Sequence, residues 1–226
     1  MSKNKLWVFG PSICTAMDLP SEDLGWPIIL ANKLGLECNN FAKVACDNFY
    51  IYASYLANKS FIADQDLVII CWSHPSRKSF VLDRNNPEHN AVIDQSFLYK
   101  LYQQEFIRSN NHPQVNNNFL KLLRLTPRNS GNQFYDNWFK NYYSEFEQNC
   151  NFQSYFDSVK ATCPAKYIPF FFSKESTDQV NVLGAGYMLE FVLENNVAIS
   201  EENLHLNEQG HKMWAEYLFN VIDSAA

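Results

Sequence analysis

Asp66-Leu67-Val68-Ile69-Ile70-Cys71-Trp72 is apolar at every position after the first. A strand with one wet face alternates apolar and polar residues. An unbroken run of this length is the pattern of a strand buried on both faces of a parallel sheet. Such a strand needs helices above and below it, and the neighbouring sequence supplies them. Upstream, Asp47 is suited to cap a helix running to residue 57, with Phe49, Tyr52, Ala53 and Leu56 on one face. Before it, residues 36–41 form a second strand, and Trp26 to Leu34 has helical spacing that closes at Gly35. Lys5-Leu6-Trp7-Val8-Phe9 is a short first strand, stopped at Gly10-Pro11. Downstream, Tyr167-Ile168-Pro169-Phe170-Phe171-Phe172 is a further apolar run, weakened as a strand by Pro169. Residues 207–222 form an amphipathic helix with Met213, Trp214, Tyr217, Leu218 and Val221 on its apolar side. Strands alternating with helices predict an α/β fold around a mainly parallel sheet. In such sheets ligands sit beyond the carboxyl ends of the strands, so functional residues are expected just after Phe9, Phe41 and Trp72.

Residues 78–165 interrupt this alternation. They read as a mostly helical, aromatic-rich insertion, with helices over 93–107 and 134–159 and a polar loop over 110–118. Phe134, Tyr135, Trp138, Phe139, Tyr142, Tyr143 and Phe146 wrap around most of one helix. That arrangement suits core packing, a wall of a pocket or a homo-oligomer contact. No repeat or linker divides the chain, so a single domain over 1–226 is expected.

The 226 residues carry 18 basic against 24 acidic side chains, a net charge of −6, and 46% are hydrophobic. A sizeable core is therefore available, and a generally basic nucleic-acid binder is excluded. No apolar run approaches the ~20 residues of a membrane helix, and Met1 to Lys5 lacks a signal-peptide core. A soluble, cytoplasmic protein is the expectation. The six cysteines have neither CxxC nor metal-ligand spacing, which predicts reduced thiols and no metal site.

Two short stretches can carry chemistry. Ser12 follows the first strand at Gly10-Pro11-Ser12, where a hydroxyl would stand at the carboxyl edge of the sheet and nearby N–H groups can hold an oxyanion. An N-cap is the commoner job for such a serine. Near the other end, Glu202-Asn203-Leu204-His205 puts a carboxylate three residues before an imidazole. Nucleophilic serine needs a base, and the base needs an anion to fix its tautomer. The plain alternative is a solvated loop, with Asn207 capping the last helix.

Together, a serine corner after the first strand and a D/E-x-x-H before the terminal helix resemble the SGNH (GDSL-like) hydrolase family. The stretch Asn40-Phe41-Ala42-Lys43-Val44-Ala45-Cys46-Asp47-Asn48 resembles the family's second block, and Asp66 to Trp72 with Ser73 its third. The Trp72-Ser73 pair and Arg77 are similar to a divergent branch from phage and bacterial genomes. The resemblance touches about 60 residues. It implies a flavodoxin-like three-layer α/β/α sandwich with a sheet of about five strands. It implies Ser12 as nucleophile, His205 as base, Glu202 as the orienting acid, and no cofactor. It also implies an oxyanion hole from Ser12 and Ala45, with Ser73 or Asn48 as a third donor. Trp72, His74 and Arg77 would line the pocket, and the substrate would be a small-molecule or glycan ester.

The chain departs from the family pattern at four points. Pro11 stands for an Asp that is not catalytic. Glu202 stands for Asp, and Ala45 for a Gly that tolerates left-handed backbone better. The third-block Asn is missing, with Trp72-Ser73-His74 in its place. Losing one oxyanion donor costs roughly 10²–10³ in rate, against about 10⁶ for a whole triad. A slow esterase or carbohydrate O-acetyl esterase is therefore expected, with an inactive, virus-encoded binding or structural protein as the alternative. An unrelated α/β protein in which the two motifs coincide is a third reading. His74 is a candidate pocket residue or second base, His211 a packing or capping residue, and His89 and His112 are solvated.

Overall fold

A computed structural model describes residues 3–44, 46–75, 77–83, 120–125, 133–177 and 184–224. Its centre is a parallel sheet of β1 (Lys5–Phe9), β2 (Glu37–Asn40), β3 (Leu67–Trp72) and β6 (Lys166–Phe171), in the order β2-β1-β3-β6. β3 is central and buried at all six positions, as its composition requires. Alternate residues feed two cores. Leu67, Ile69 and Cys71 pack with Leu6, Val8 and Phe170 under α1 (Trp26–Leu34), α5 (Met188–Asn195) and α6 (Glu208–Ser224). Val68, Ile70 and Trp72 pack with Trp7, Phe9 and Phe171 under α2 (Asn48–Asn58) and α4 (Glu145–Thr162). The fold is thus a three-layer α/β/α arrangement around a parallel sheet.

The parallel sheet has four strands among the described residues where about five were expected. Next to β6 the sheet dwindles to one parallel bridge between Phe171 and Tyr187. Ala185 N–H donates to Pro169 O and Phe171 N–H to Gly186 O there. In a strand a residue's N–H and C=O point the same way. The N–H that Pro169 lacks therefore falls on this nearly bare outer edge, where proline is tolerated.

Local chemistry sets the helix ends. The Asp47 carboxylate caps α2 by accepting Tyr50 N–H at 2.9 Å. Ser144 Oγ caps α4 by accepting Glu147 N–H at 3.2 Å. Gly35 ends α1 at φ +69°, the left-handed cap that glycine adopts without strain.

The middle of the chain differs from the expected run of helices. Lys78–Asp83 (β4) and Leu120–Leu125 (β5) form an antiparallel pair. The single helix read over 134–159 is two, α3 (Gln133–Tyr142) and α4. The helix expected over 93–107, the loop over 110–118, His89 and His112 lie outside the described residues. No helix among the described residues is long and apolar enough to cross a membrane.

Candidate active site

β1 ends at Phe9, and the chain turns over Gly10 into a 3-10 turn at Ser12–Cys14, just beyond the carboxyl edge of the sheet. The turn is closed by Cys14 N–H to Pro11 O at 2.9 Å and Thr15 N–H to Ser12 O at 2.8 Å. The Thr15 hydroxyl also donates to Ser12 O, at 2.6 Å. Side chains from outside pin it further. Asn40 Nδ2 donates to Cys14 O at 2.9 Å and the Trp26 indole to Ile13 O at 3.2 Å. Gly10 is needed for close approach: a Cβ there would lie 2.6 Å from Cys14 Sγ and 2.9 Å from Cys71 Cβ. Being first in a helical turn, Ser12 has an N–H with no partner inside it.

His205 arrives from the far end of the chain. Its segment is a small β-bridged loop, with Ala198 paired to Leu206 and Ile199 N–H donating to His205 O at 3.0 Å. Asn203 Oδ1 accepts His205 N–H at 3.2 Å, and Asn207 Oδ1 caps α6 by accepting Gly210 N–H at 2.8 Å. The imidazole Nε2 lies 2.9 Å from Ser12 Oγ. Ser12 is only 7% exposed, so its hydroxyl sits in the wall of the site and not on a loop tip.

The carboxylate at the other ring nitrogen belongs to Asp18. Its Oδ2 is 2.6 Å from His205 Nδ1. A carboxylate is an acceptor only, so Nδ1 carries the proton and Nε2 is left bare to accept from Ser12 Oγ–H. Glu202, the acid expected from its spacing, is exposed and takes no hydrogen bond among the described residues. The loop from His205 back to Glu202 is spent on the Ser200–Asn203 turn, with Ser200 N–H donating to Asn203 O. Asp18 sits in another turn, closed by Leu19 N–H to Ala16 O, on the very loop that carries Ser12. One signal for it was present in the sequence: Asp18 is the first carboxylate after the serine and lies before the first helix.

The other expected residues divide. Asn48 and Ser73 meet each other: Asn48 Nδ2 donates to Ser73 O at 3.0 Å, and Ser73 N–H to Asn48 Oδ1 at 2.7 Å. The Ser73 hydroxyl is buried with no hydrogen-bond partner among the described residues. Ala45 lies outside the described residues. Trp72 is enclosed in the core, donating to the Tyr167 hydroxyl at 2.8 Å and packed on Phe152 and Phe156, so it lines no pocket. Its alternation with Val68 and Ile70 turns it into the α2/α4 layer. Arg77 N–H donates to His74 O, and the Arg77 guanidinium lies 5.1 Å from the Phe172 ring centre. Burial, then the Arg77 charge, lowers the His74 pKa.

His211 is buried and accepts Trp26 N–H at Nδ1, 3.1 Å away. Burial, and next the proximity of His205, pushes its pKa down to about 4, against a small opposing pull from Asp18. All six cysteines are free thiols. Burial raises Cys14 well above the usual thiol range, so the thiol that ends the Ser12–Cys14 turn is not ionised at neutral pH. Among the described residues no three His, Cys, Asp or Glu side chains cluster closely enough to hold a metal ion. A cleft of about 490 Å³ opens beside the Ser12–Asp18 loop, between Thr15, Ala16 and Met17 on one side and Asn40, Ala42 and Val44 on the other.

No protein-family model and no curated protein matches the chain. Solved structures do. The psychrotrophic esterase EstA from a Pseudoalteromonas species, in a structure inhibited by monoethylphosphonate, aligns at 9% identity and a TM-score of 0.49, over 98% of this chain and 97% of that one. A member of the lipolytic protein G-D-S-L family from Veillonella parvula aligns at 12% identity and 0.40, over 96% and 97%. The acetyl xylan esterase AlAXEase aligns at 12% identity and 0.37, over 96% and 99%. At such identities and scores, the chemistry of the site is read from its own geometry.

Proposed function

We propose that the protein is a serine ester hydrolase of SGNH type, acting through Ser12, His205 and Asp18. The observation that carries this reading is the relay of contacts, Ser12 Oγ to His205 Nε2 at 2.9 Å and Nδ1 to Asp18 Oδ2 at 2.6 Å. Ser12 Oγ attacks the ester carbonyl carbon while its proton passes to Nε2. Asp18 stabilises the imidazolium that results. In this reading the Ser12 N–H, which the 3-10 turn does not use, donates to the developing oxyanion. As the tetrahedral species collapses, the leaving alkoxide takes the proton from Nε2 and an acyl-Ser12 ester remains. Water then attacks that ester with His205 again as base, and as the acid leaves, Ser12 Oγ takes the proton back from Nε2.

The substrate in this reading is a short acyl ester, an acetyl group on a carbohydrate being the favoured case. The cleft lined by Thr15–Met17, Asn40 and Lys43 begins three residues from Ser12 and brings polar and apolar side chains together, as binding of a sugar ester would need. Hydrolysis of p-nitrophenyl acetate, butyrate and decanoate and of acetylated xylo-oligosaccharides tests it. Turnover of the acetyl substrates that vanishes in Ser12→Ala is expected. Equal turnover by Ser12→Ala would overturn the reading.

A non-catalytic binding role on the same scaffold is the second reading. The engagement of Asn48 with the Ser73 main chain favours it, because that carboxamide is already committed.

A further inference from the structure

The start of α1 has an unusual cap. Its N-cap residue is Gly25, which has no side chain to offer, and Pro27 in the first turn has no N–H. Ile28 and Ile29 N–H both reach Gly25 O, at 3.1 Å each. Trp26 N–H is the donor left over, and a buried donor left unpaired costs about 1–3 kcal/mol. A Ser, Thr or Asp at position 25 would ordinarily take it, but a Cβ there would lie 3.0 Å from Ala16 Cβ and 3.1 Å from Glu22 O. The packing of the 16–25 segment thus leaves little room for a local capping side chain. The acceptor comes instead from α6: His211 Nδ1, 3.1 Å from Trp26 N.

This bond joins the two segments that carry the site. Residues 18–25 lead from Asp18 into α1, and residues 205–211 lead from His205 into the first turn of α6. α1 and α6 pack side by side in the same core through Trp26, Leu30, Trp214 and Leu218. We propose that His211 is a positioning residue for the Ser12–His205–Asp18 relay, acting by accepting Trp26 N–H and so fixing the Asp18 segment against the His205 segment. The proposal rests on the functional reading above. His211 does this as a neutral imidazole, since a protonated ring would turn the Nδ1 acceptor into a second donor. Its depressed pKa agrees, and neutrality also spares His205 a second positive charge when it takes the serine proton.

Long-range proton–nitrogen spectra of the histidine side chains test the bond in the unaltered protein. The expected result is a neutral His211 with Nδ1 bare and Nε2 protonated; a protonated Nδ1 at pH 7 would overturn the proposal. The variants His211→Leu and His211→Asn test its consequence. In His211→Leu the downfield proton resonance of His205 Nδ1–H on Asp18 should broaden or vanish, and kcat should fall on the order of tenfold at unchanged KM. His211→Asn, whose side-chain oxygen can accept Trp26 N–H, should recover both. A folded His211→Leu that keeps the resonance, or keeps wild-type kcat, would overturn the proposal; a merely structural role would lower Tm alone. If the wild type hydrolyses no ester, the functional reading fails, while the resonance and the tautomer still decide the role of His211.

Discussion

Asp18 Oδ2 lies 2.6 Å from His205 Nδ1, although 187 positions separate the two residues in the chain. Ser12 and Asp18 therefore share one short loop, and the imidazole is inserted between them from the opposite end of the sequence. His205 is held at both ring nitrogens by side chains of that loop, Ser12 on one side and Asp18 on the other.

Asp18→Asn should cripple the reaction. An Asn oxygen can still accept from Nδ1, but its amide group can also donate and stabilise the wrong tautomer, and the charge that supports the imidazolium is gone. A fall in kcat on the order of 10³–10⁴ is expected, with KM little changed. Glu202→Gln, at an exposed side chain with no hydrogen bond among the described residues, should leave kcat as it was. Steady-state kinetics of the two variants side by side separate the two carboxylates, and the reverse pattern would place the acid at Glu202.

The outcome at those two positions shows how much of the molecule could be read in its sequence. The buried run of β3, the glycine that ends α1 and the Asp47 cap are local signals, and each produced the element it announced. The positions of Ser12 and His205 were legible because each sits at a recognisable corner, after a strand and before a capped helix, and the two meet in the structure. The contact of Asp18 with His205 was not, because it is set by where the His205 loop lands, and being the first carboxylate after Ser12 is too weak a signal to single it out. Trp72 was misread as a pocket residue because a strand buried on both faces does not reveal which way its last side chain points. The β4–β5 pair was missed because strand pairing between segments far apart leaves no periodic trace in either one.

Gly10→Ala should damage stability and activity together. The added methyl would sit 2.6 Å from Cys14 Sγ and 2.9 Å from Cys71 Cβ, so the Ser12–Cys14 turn must shift. A loss of about 1–3 kcal/mol in urea unfolding is expected, along with weaker ester turnover. Gly35→Ala makes the contrast: nothing lies within 4 Å of its added Cβ, and its cost comes from φ +69° alone. It should lose about 1 kcal/mol and leave kcat intact.

Stability should depend on pH through His211. Its folded-state pKa is about 4, below the ordinary 6.5 of the unfolded chain. Between these values the unfolded state binds the extra proton, so its contribution is complete above about pH 6.5 and is lost as pH falls toward 4. The loss reaches roughly 3 kcal/mol at the acid end. His211→Asn should flatten this limb in urea titrations at pH 7, 6, 5 and 4, and an unchanged slope would rule out His211 as its source.

The most direct measurement of the central claim is the intact mass of the chain after treatment with a fluorophosphonate, which phosphonylates an activated serine. The relay requires one adduct on the wild type and none on Ser12→Ala, with labelling strongly slowed in His205→Ala. A folded wild type that stays unlabelled, or an adduct that survives in Ser12→Ala, would contradict the assignment of Ser12 as a nucleophile activated by His205.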